Sequence, residues 1–82
     1  MAIEKNFLPD LERGLTLDER YVFLRKLAIM LASGVQVTES LRLISFHFHG
    51  RIRSCAKRLG SLIEQGIPLT TAMELNRKDF PA

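Results

Sequence analysis

The chain has 82 residues, of which 46% are hydrophobic, and a formal net charge of +3. This length allows one small domain with a thin margin of stability, because a short chain buries only a modest share of its surface on folding. A single cysteine excludes an internal disulfide, and no apolar run approaches the roughly 20 residues that a membrane-spanning helix needs.

The chain is expected to begin with an arm at residues 1–15, followed by a helical bundle at residues 16–82. Thr16 with Glu19 three residues later is typical of a capping box. In that motif the two side chains satisfy N–H groups that have no partner within the first turn. The first helix is therefore predicted to run from about Leu17 to Ser33.

This first helix carries two apolar stripes. One consists of Leu17, Tyr21, Leu24, Ala28 and Leu31, and the other of Phe23, Leu27 and Met30. An apolar face of this width predicts burial on more than one side. We expect this helix to be the central one, with too few partners in a chain this short to cover it.

The same corner occurs twice, 32 residues apart. Gly34 and Gly66 are each predicted to end a helix, because glycine enters the left-handed conformation at little cost. The hydrophobic residue after each glycine can fold back onto the last helical turn. Thr38 and Thr70 are then expected to cap the next helix with their hydroxyl groups. Two such corners predict three helices and the start of a fourth.

The remaining helices follow from these signals. The second helix is expected to end near Gly50, a natural residue for the position just past a helix end. The third, from about Arg51 to Gln65, is amphipathic, and Cys55 on its apolar face is expected to be buried and inert. Gly60 lowers helix propensity in mid-helix, which predicts a close helix crossing. The fourth helix is expected to begin at Thr70.

Basic side chains are concentrated where acidic ones are absent. No Asp or Glu lies between Glu39 and Glu64, whereas five basic residues do: Arg42, Arg51, Arg53, Lys57 and Arg58. Such a stretch favours binding to nucleic acid, anionic lipid or an acidic protein face, and the simpler alternative is a solvated basic helix face. We expect these five residues to contact a partner.

The sequence offers no catalytic or metal-binding constellation. His47 and His49 are two apart, so on a helix they point in different directions, and no further ligand completes a zinc set. No serine or cysteine nucleophile has a base and an orienting group, and no glycine-rich phosphate loop is present. We therefore predict no enzyme activity, no metal and no cofactor.

Two further interpretations remain open. Helix-corner-helix geometry with basic residues is how helix-turn-helix proteins place a helix in the DNA major groove. The polar face of the third helix, however, does not group Asn, Gln and Arg side chains on one side. A helical-repeat adaptor is the third possibility, because the 32-residue spacing lies near the period of helical-hairpin repeats.

One family resemblance rests on the repeated corner. The segment from Phe23 to Leu41, FLRKLAIMLASGVQVTESL, resembles the opening of the platform-protein F domain of type II secretion and type IV pilus systems. The family's next helix ends in a similar glycine corner, and residues 63–73 match it. Phe80 and Pro81 resemble the Phe-Pro that follows the family's fourth helix. The resemblance covers about residues 20–81.

The resemblance implies an all-α fold, an antiparallel bundle of three to four helices that is a truncated part of the family's six-helix bundle. It also implies a non-enzymatic platform domain on the cytoplasmic side of the bacterial inner membrane. Such a domain links the assembly ATPase to the pilin or pseudopilin machinery and to other inner-membrane components, without nucleic acid. The family's fifth and sixth helices and its membrane spans are absent here, so we expect a fragment that forms a homodimer or higher oligomer.

Overall fold

The computed structural model describes residues 14–81, which form an all-helical bundle. Its four helices are α1 (Leu17–Ala32), α2 (Val37–His47), α3 (Gly50–Glu64) and α4 (Leu69–Leu75). Most of the predicted arm at residues 1–15 lies outside the described residues. Within residues 14–81, none of the helices is both long and apolar enough to cross a membrane.

The capping box at the start of α1 is confirmed. The backbone N–H of Glu19 donates to the Thr16 hydroxyl at 3.1 Å, and the Glu19 carboxylate accepts from the Thr16 N–H at 2.9 Å. Both bonds satisfy donors that the helix itself leaves without partners. The first helix therefore begins where the sequence predicts.

Both predicted glycine corners are present as well. Gly34 and Gly66 have φ values of +92° and +95°, and each lies just past the end of a helix. After Gly34, the Val35 N–H returns to the Met30 carbonyl at 3.0 Å, and after Gly66 the Ile67 N–H makes the equivalent bond at 3.1 Å. This pattern is the Schellman motif, in which the chain folds back to satisfy the last carbonyls of the helix.

The predicted threonine caps are wrong. Helix α2 begins at Val37 and α4 at Leu69, each one residue before the threonine, and neither helix has a side-chain capping hydrogen bond. Val37 and Leu69 are partly buried against the core, so the helices begin at the residue that packs rather than at the hydroxyl. Burial of an apolar side chain outweighs the capping preference here.

Gly50 also differs from its prediction. Helix α2 ends at His47 with Phe48 as its capping residue, and Gly50 is the first residue of α3. Its φ of +63° lies in the left-handed region that glycine tolerates. The glycine therefore serves the tight connection between α2 and α3, where two extended residues reverse the chain.

Helix α3, rather than α1, is the central element. Four of its side chains are buried: Ile52, Cys55, Ala56 and Leu59. Helix α1 buries only Phe23 and Leu27 fully. Its other stripe is divided, because Leu24 and Leu31 are partly buried against the core whereas Leu17 and Tyr21 are exposed. This finding corrects the prediction that α1 is central.

The C-terminal turn completes the core. Phe80 lies against Phe23 with ring centroids 5.8 Å apart, a tilted aromatic pair. The turn before it is held by backbone bonds from Asp79 and Phe80 to the Asn76 carbonyl. Leu15, directly before the capping box, is also buried, so both ends of the described chain pack onto the same bundle.

Candidate functional site

The structure divides the five predicted partner-binding residues between two sides of α3. Arg51 and Arg58 are seven residues apart and therefore share one side of the helix, towards α1 and the C-terminal turn. Arg53 and Lys57 lie on another side, towards α2, where Arg42 projects from the neighbouring helix. The stretch is one patch in the sequence but two surfaces in the fold.

Arg51 joins the start of α3 to the start of α1. Its Nε donates to Glu19 Oε1 at 3.0 Å, and its Nη2 donates to Glu19 Oε2 at 3.3 Å. These hydrogen bonds are the main reason that the pKa of Glu19 lies below its ordinary value, and partial burial opposes them. The same carboxylate caps α1, so Glu19 supports two contacts at once.

Arg58 is engaged by a buried carboxylate. The Asp79 side chain is 1% exposed, and it accepts hydrogen bonds from an Arg58 guanidinium nitrogen and from the Leu15 N–H. Arg58 Nε also donates to Asn76 Oδ1 at 3.1 Å, and Arg20 Nε donates to the Asp79 carbonyl at 2.7 Å. A buried charge needs such partners to offset its desolvation. We conclude that Arg58 has a structural role.

Cys55 lies beside this carboxylate and is fully buried. Burial raises the pKa of the Cys55 thiol well above its ordinary range, and the negative charge of Asp79 adds to the shift. A thiol held in its neutral form is a poor nucleophile. The predicted burial of Cys55 is confirmed, and its inertness stays a prediction.

On the other side of α3, Arg53 caps the end of α2. Its Nε donates to the carbonyl oxygens of Ser45 and Phe48, at 2.9 and 3.0 Å. A cation at a helix C-terminus is favourable because it meets the negative end of the helix dipole. Arg42, one turn earlier on α2, forms an exposed ion pair with Glu39. Such surface pairs add little to stability.

A groove runs between α2 and α3 on this side. Its cavity volume is about 480 Å³, and it is lined by Thr38, Leu41, Arg42, Ser45, Ala56, Lys57, Gly60, Ser61 and Glu64. The floor is apolar and shallow, because Ala56 and Gly60 carry small side chains or none. Both walls carry polar residues, and each has one cation, Arg42 on α2 and Lys57 on α3. Sequence analysis did not identify this groove.

The close helix crossing predicted at Gly60 stays a prediction. A Cβ atom built on it would lie 3.9 Å from the Leu41 Cβ, an ordinary van der Waals contact. Helix α2 therefore lies near Gly60 and leaves room for a small side chain there.

The two histidines lie at the exposed turn between α2 and α3. His47 Nδ1 is 2.9 Å from the Leu43 carbonyl oxygen, a contact within its own helix. Across residues 14–81, no three His, Cys, Asp or Glu side chains are grouped so that they could hold a metal ion.

A second exposed surface is the outer face of α1. Leu17 is 75% exposed, Tyr21 62% and Ile29 51%, although all three are large and hydrophobic. Together they leave large apolar side chains of a long helix in contact with water, with Arg25 between Tyr21 and Ile29, where it donates to the Tyr21 hydroxyl at 3.3 Å. Exposed apolar surface of this kind is typical of interaction sites.

Asp79 and Leu15 are the structural residues that sequence analysis missed. Asp79 directly precedes the Phe-Pro pair in a run of charged residues, where its sequence neighbours indicate an exposed position. Only the tertiary fold brings it to Leu15 and Arg58. No local signal in the sequence distinguishes Asp79 from the solvated carboxylates.

Comparison with known proteins identifies one family. The family model described as type II secretion system (T2SS), protein F, matches residues 23–82, which is most of the chain. No curated protein and no solved structure matches the chain significantly. The matched segment includes both glycine corners, the groove between α2 and α3, and Asp79.

Proposed function

The chain belongs to the platform F-domain family of type II secretion and type IV pilus systems, and from this we propose that it is a non-enzymatic scaffold domain. In this proposal the domain links the cytoplasmic assembly ATPase to the pilin or pseudopilin machinery. Members of the family are membrane platform proteins and generally not enzymes.

The exposed face of α1 is the observation that carries the proposal. A scaffold acts through surfaces that bind other proteins, and an apolar helix face that is half or more exposed at Leu17, Tyr21 and Ile29 is such a surface. The buried and protonated thiol of Cys55 offers no nucleophile. These features support a binding role rather than chemistry.

We place the domain on the cytoplasmic side of the bacterial inner membrane. The family is an inner-membrane one, and an assembly ATPase that works in the cytoplasm can reach only that side. Attachment to the membrane would use segments other than the helices of residues 14–81. A second copy of the chain is the simplest cover for the α1 face, which gives a homodimer with self-complementary contacts.

The helix-turn-helix alternative receives less support from the geometry. A recognition helix presents its basic side chains to the DNA. In α3, Arg51 binds Glu19, Arg53 binds carbonyl oxygens and Arg58 binds Asp79. Three of the basic side chains on this helix are therefore engaged within the fold.

The test measures binding between the chain and the purified cognate assembly ATPase by isothermal titration calorimetry, with duplex DNA as the competing ligand. We expect binding to the ATPase and none to DNA. In cells, deletion of the domain from the platform gene should stop secretion or pilus assembly. Normal assembly after deletion, or salt-sensitive binding to DNA without any binding to the ATPase, would overturn the proposal.

Self-association is measured separately by sedimentation equilibrium. Ile29→Glu places a charge in the exposed face of α1 and should lower the association constant. Leu75→Glu is the matched control, because Leu75 is 62% exposed on α4, away from that face. Equal effects of the two changes would contradict dimerisation through α1.

A further inference from the structure

We propose that the groove between α2 and α3 binds a short acidic helical segment of a partner protein. This inference rests on the proposed scaffold function and names the chemistry of the partner at one of its surfaces. It concerns a different side of the bundle from the exposed α1 face, so each surface can be tested without the other.

The shape of the groove fits a helix. Its α2 wall extends from Thr38 to Ser45 and its α3 wall from Ala56 to Glu64, which at 1.5 Å per residue is about two helical turns, or roughly 12 Å. Ala56 and Gly60 lie one turn apart on the floor and keep it shallow enough for a second helix to approach. Helix-in-groove binding uses such a trough, with apolar anchors inside and polar contacts at the rim.

The charge of the groove selects an acidic occupant. Arg42 and Lys57 face the groove from opposite walls, and Arg53 lies at the Ser45 end. Glu39 pairs with Arg42 on the outer side, but an exposed ion pair of this kind exchanges readily with an incoming carboxylate. An acidic occupant of the groove would be attracted by cations from both helices.

Glu64 gives the groove a direction. It lies at the Thr38 end, opposite the end where Arg53 is held. An occupant with acidic residues near Lys57 and a neutral or basic residue near Glu64 matches this polarity. A polyanion with uniform charge does not match it, because the carboxylate at one end repels the phosphates of a nucleic acid. A flat lipid surface cannot enter a concave trough between two helices.

The groove is also too open for a small molecule to be the favoured ligand. Four of its lining side chains are exposed, namely Arg42, Lys57, Ser61 and Glu64. Pockets for small ligands enclose most of the ligand surface. An extended partner that is anchored by the rest of its own protein gains contact along the whole trough instead.

The first experiment uses a fluorescein-labelled amphipathic peptide whose helix carries Glu residues at i and i+4 on its polar face, and a matched peptide with Gln in their place. Fluorescence anisotropy measures binding of each peptide to the chain. We expect the acidic peptide to bind about tenfold more tightly than the Gln peptide, with a difference that shrinks in high salt.

Gly60→Leu is the key variant, because it fills the floor of the groove without changing any charge. The built Cβ makes only an ordinary contact, 3.9 Å from the Leu41 Cβ, and a leucine restores helix propensity, so we expect the fold to be preserved. We expect this variant to lose acidic-peptide binding by about tenfold or more, since it removes the space for the anchor. Ser54→Leu, on an exposed position of the same helix, is the matched control and should bind as the unchanged chain does.

Lys57→Glu should weaken binding of the acidic peptide in the same way. Lys26 is an exposed lysine on α1, so Lys26→Glu should leave peptide binding unchanged. Equal binding of the acidic and Gln peptides, or unchanged binding by Gly60→Leu, would overturn the inference. The inference would also be overturned, in favour of a lipid partner, if the chain bound anionic phosphatidylglycerol vesicles but not the peptide, and if Lys57→Glu weakened that vesicle binding.

The same variants separate this inference from the proposed function. If the unchanged chain binds the assembly ATPase, and the Gly60→Leu and Lys57→Glu variants bind it equally well, the groove inference fails and the scaffold function stands. If the unchanged chain binds the acidic peptide but no platform component, the scaffold function fails and the groove remains a binding site.

Discussion

The backbone N–H of Leu15 donates a hydrogen bond to Oδ1 of Asp79 at 3.0 Å, across 64 positions of the sequence. The second carboxylate oxygen is bound by Arg58, and both Leu15 and Asp79 are buried. Gly14 approaches so closely that a Cβ built on it would lie 2.3 Å from the Lys78 carbonyl oxygen. This contact joins the two ends of the described chain, so the first and last turns stabilise each other.

Replacement of Asp79 tests this contact. Asp79→Ala leaves the buried Leu15 N–H without its acceptor and removes the carboxylate that Arg58 binds, so we expect the free energy of unfolding to fall by about 2 kcal/mol. Urea unfolding followed by circular dichroism measures the change. Glu74→Ala removes an exposed carboxylate on α4 and should change stability by less than about 0.5 kcal/mol. Similar losses for both variants would contradict the anchoring role.

Glu19 predicts a dependence of stability on pH. Its pKa is lower in the folded chain than its ordinary value of 4.5, so the folded state holds the Glu19 proton less tightly than the unfolded state. The stabilisation is therefore present above the ordinary pKa and is lost as the pH falls through the lowered value.

Glu19→Gln isolates this effect, because glutamine can still complete the capping box while it loses the charge that Arg51 binds. We expect the variant to be about 0.5 kcal/mol less stable than the unchanged chain at neutral pH. The difference should vanish in acid, where Glu19 is protonated in both states. Unfolding midpoints compared across this pH range provide the measurement, and a difference that grows in acid would contradict the assignment.

The sequence predicted the parts of this fold that depend on local chemistry. The capping box at Thr16 and the corners at Gly34 and Gly66 are encoded within a few residues, and all three are present. The starts of α2 and α4 were missed because the partial burial of Val37 and Leu69 depends on packing against other helices.

The candidate sites show the same division between local and tertiary signals. The acid-free stretch indicated a basic surface. It could not show that Arg51 binds the carboxylate that caps α1, that Arg58 binds a buried carboxylate, or that Lys57 lines a groove. Helical spacing alone separates these residues into two sides. Which side stays available depends on the distant partners Glu19 and Asp79.

Replacing a glycine with alanine should have opposite effects on stability at two positions of this chain. Gly60 lies in mid-helix, where a Cβ would make only an ordinary contact with Leu41, so Gly60→Ala should stabilise the chain by about 0.5–1 kcal/mol through helix propensity. Gly34 has open space around it, but its φ is +92°, so Gly34→Ala should destabilise the chain by about 1 kcal/mol. Thermal unfolding of the two variants is the measurement. Changes of the same sign would contradict this reading of their backbones.

Cys55 should be protected from alkylation. Its thiol is buried, and its raised pKa keeps it protonated at pH 8, so reaction with iodoacetamide requires opening of the bundle. We expect the native chain to react on the order of 100-fold more slowly than the chain in urea, as measured by mass spectrometry. Asp79→Ala should speed the native reaction, because it loosens the turn next to the thiol. A native rate close to that in urea would contradict burial.

Ser40 is the one buried side chain within residues 14–81 whose polar atom has no hydrogen-bond partner. It lies in α2 between the buried residues of the core, with no exposed surface, so its hydroxyl loses its water without gaining another bond. An unsatisfied buried hydroxyl is unfavourable, and alanine keeps the Cβ that packs there. Ser40→Ala should therefore stabilise the chain by about 1 kcal/mol.

The control for Ser40→Ala is a serine on the same helix whose hydroxyl does have a partner. Ser45 Oγ donates to the Arg42 carbonyl at 2.8 Å and is part of an exposed wall, so Ser45→Ala should change stability by less than about 0.5 kcal/mol. Chemical unfolding of both variants under the same conditions gives the comparison. A loss of stability in Ser40→Ala would contradict the unsatisfied hydroxyl and would indicate that an internal water bonds to it in solution.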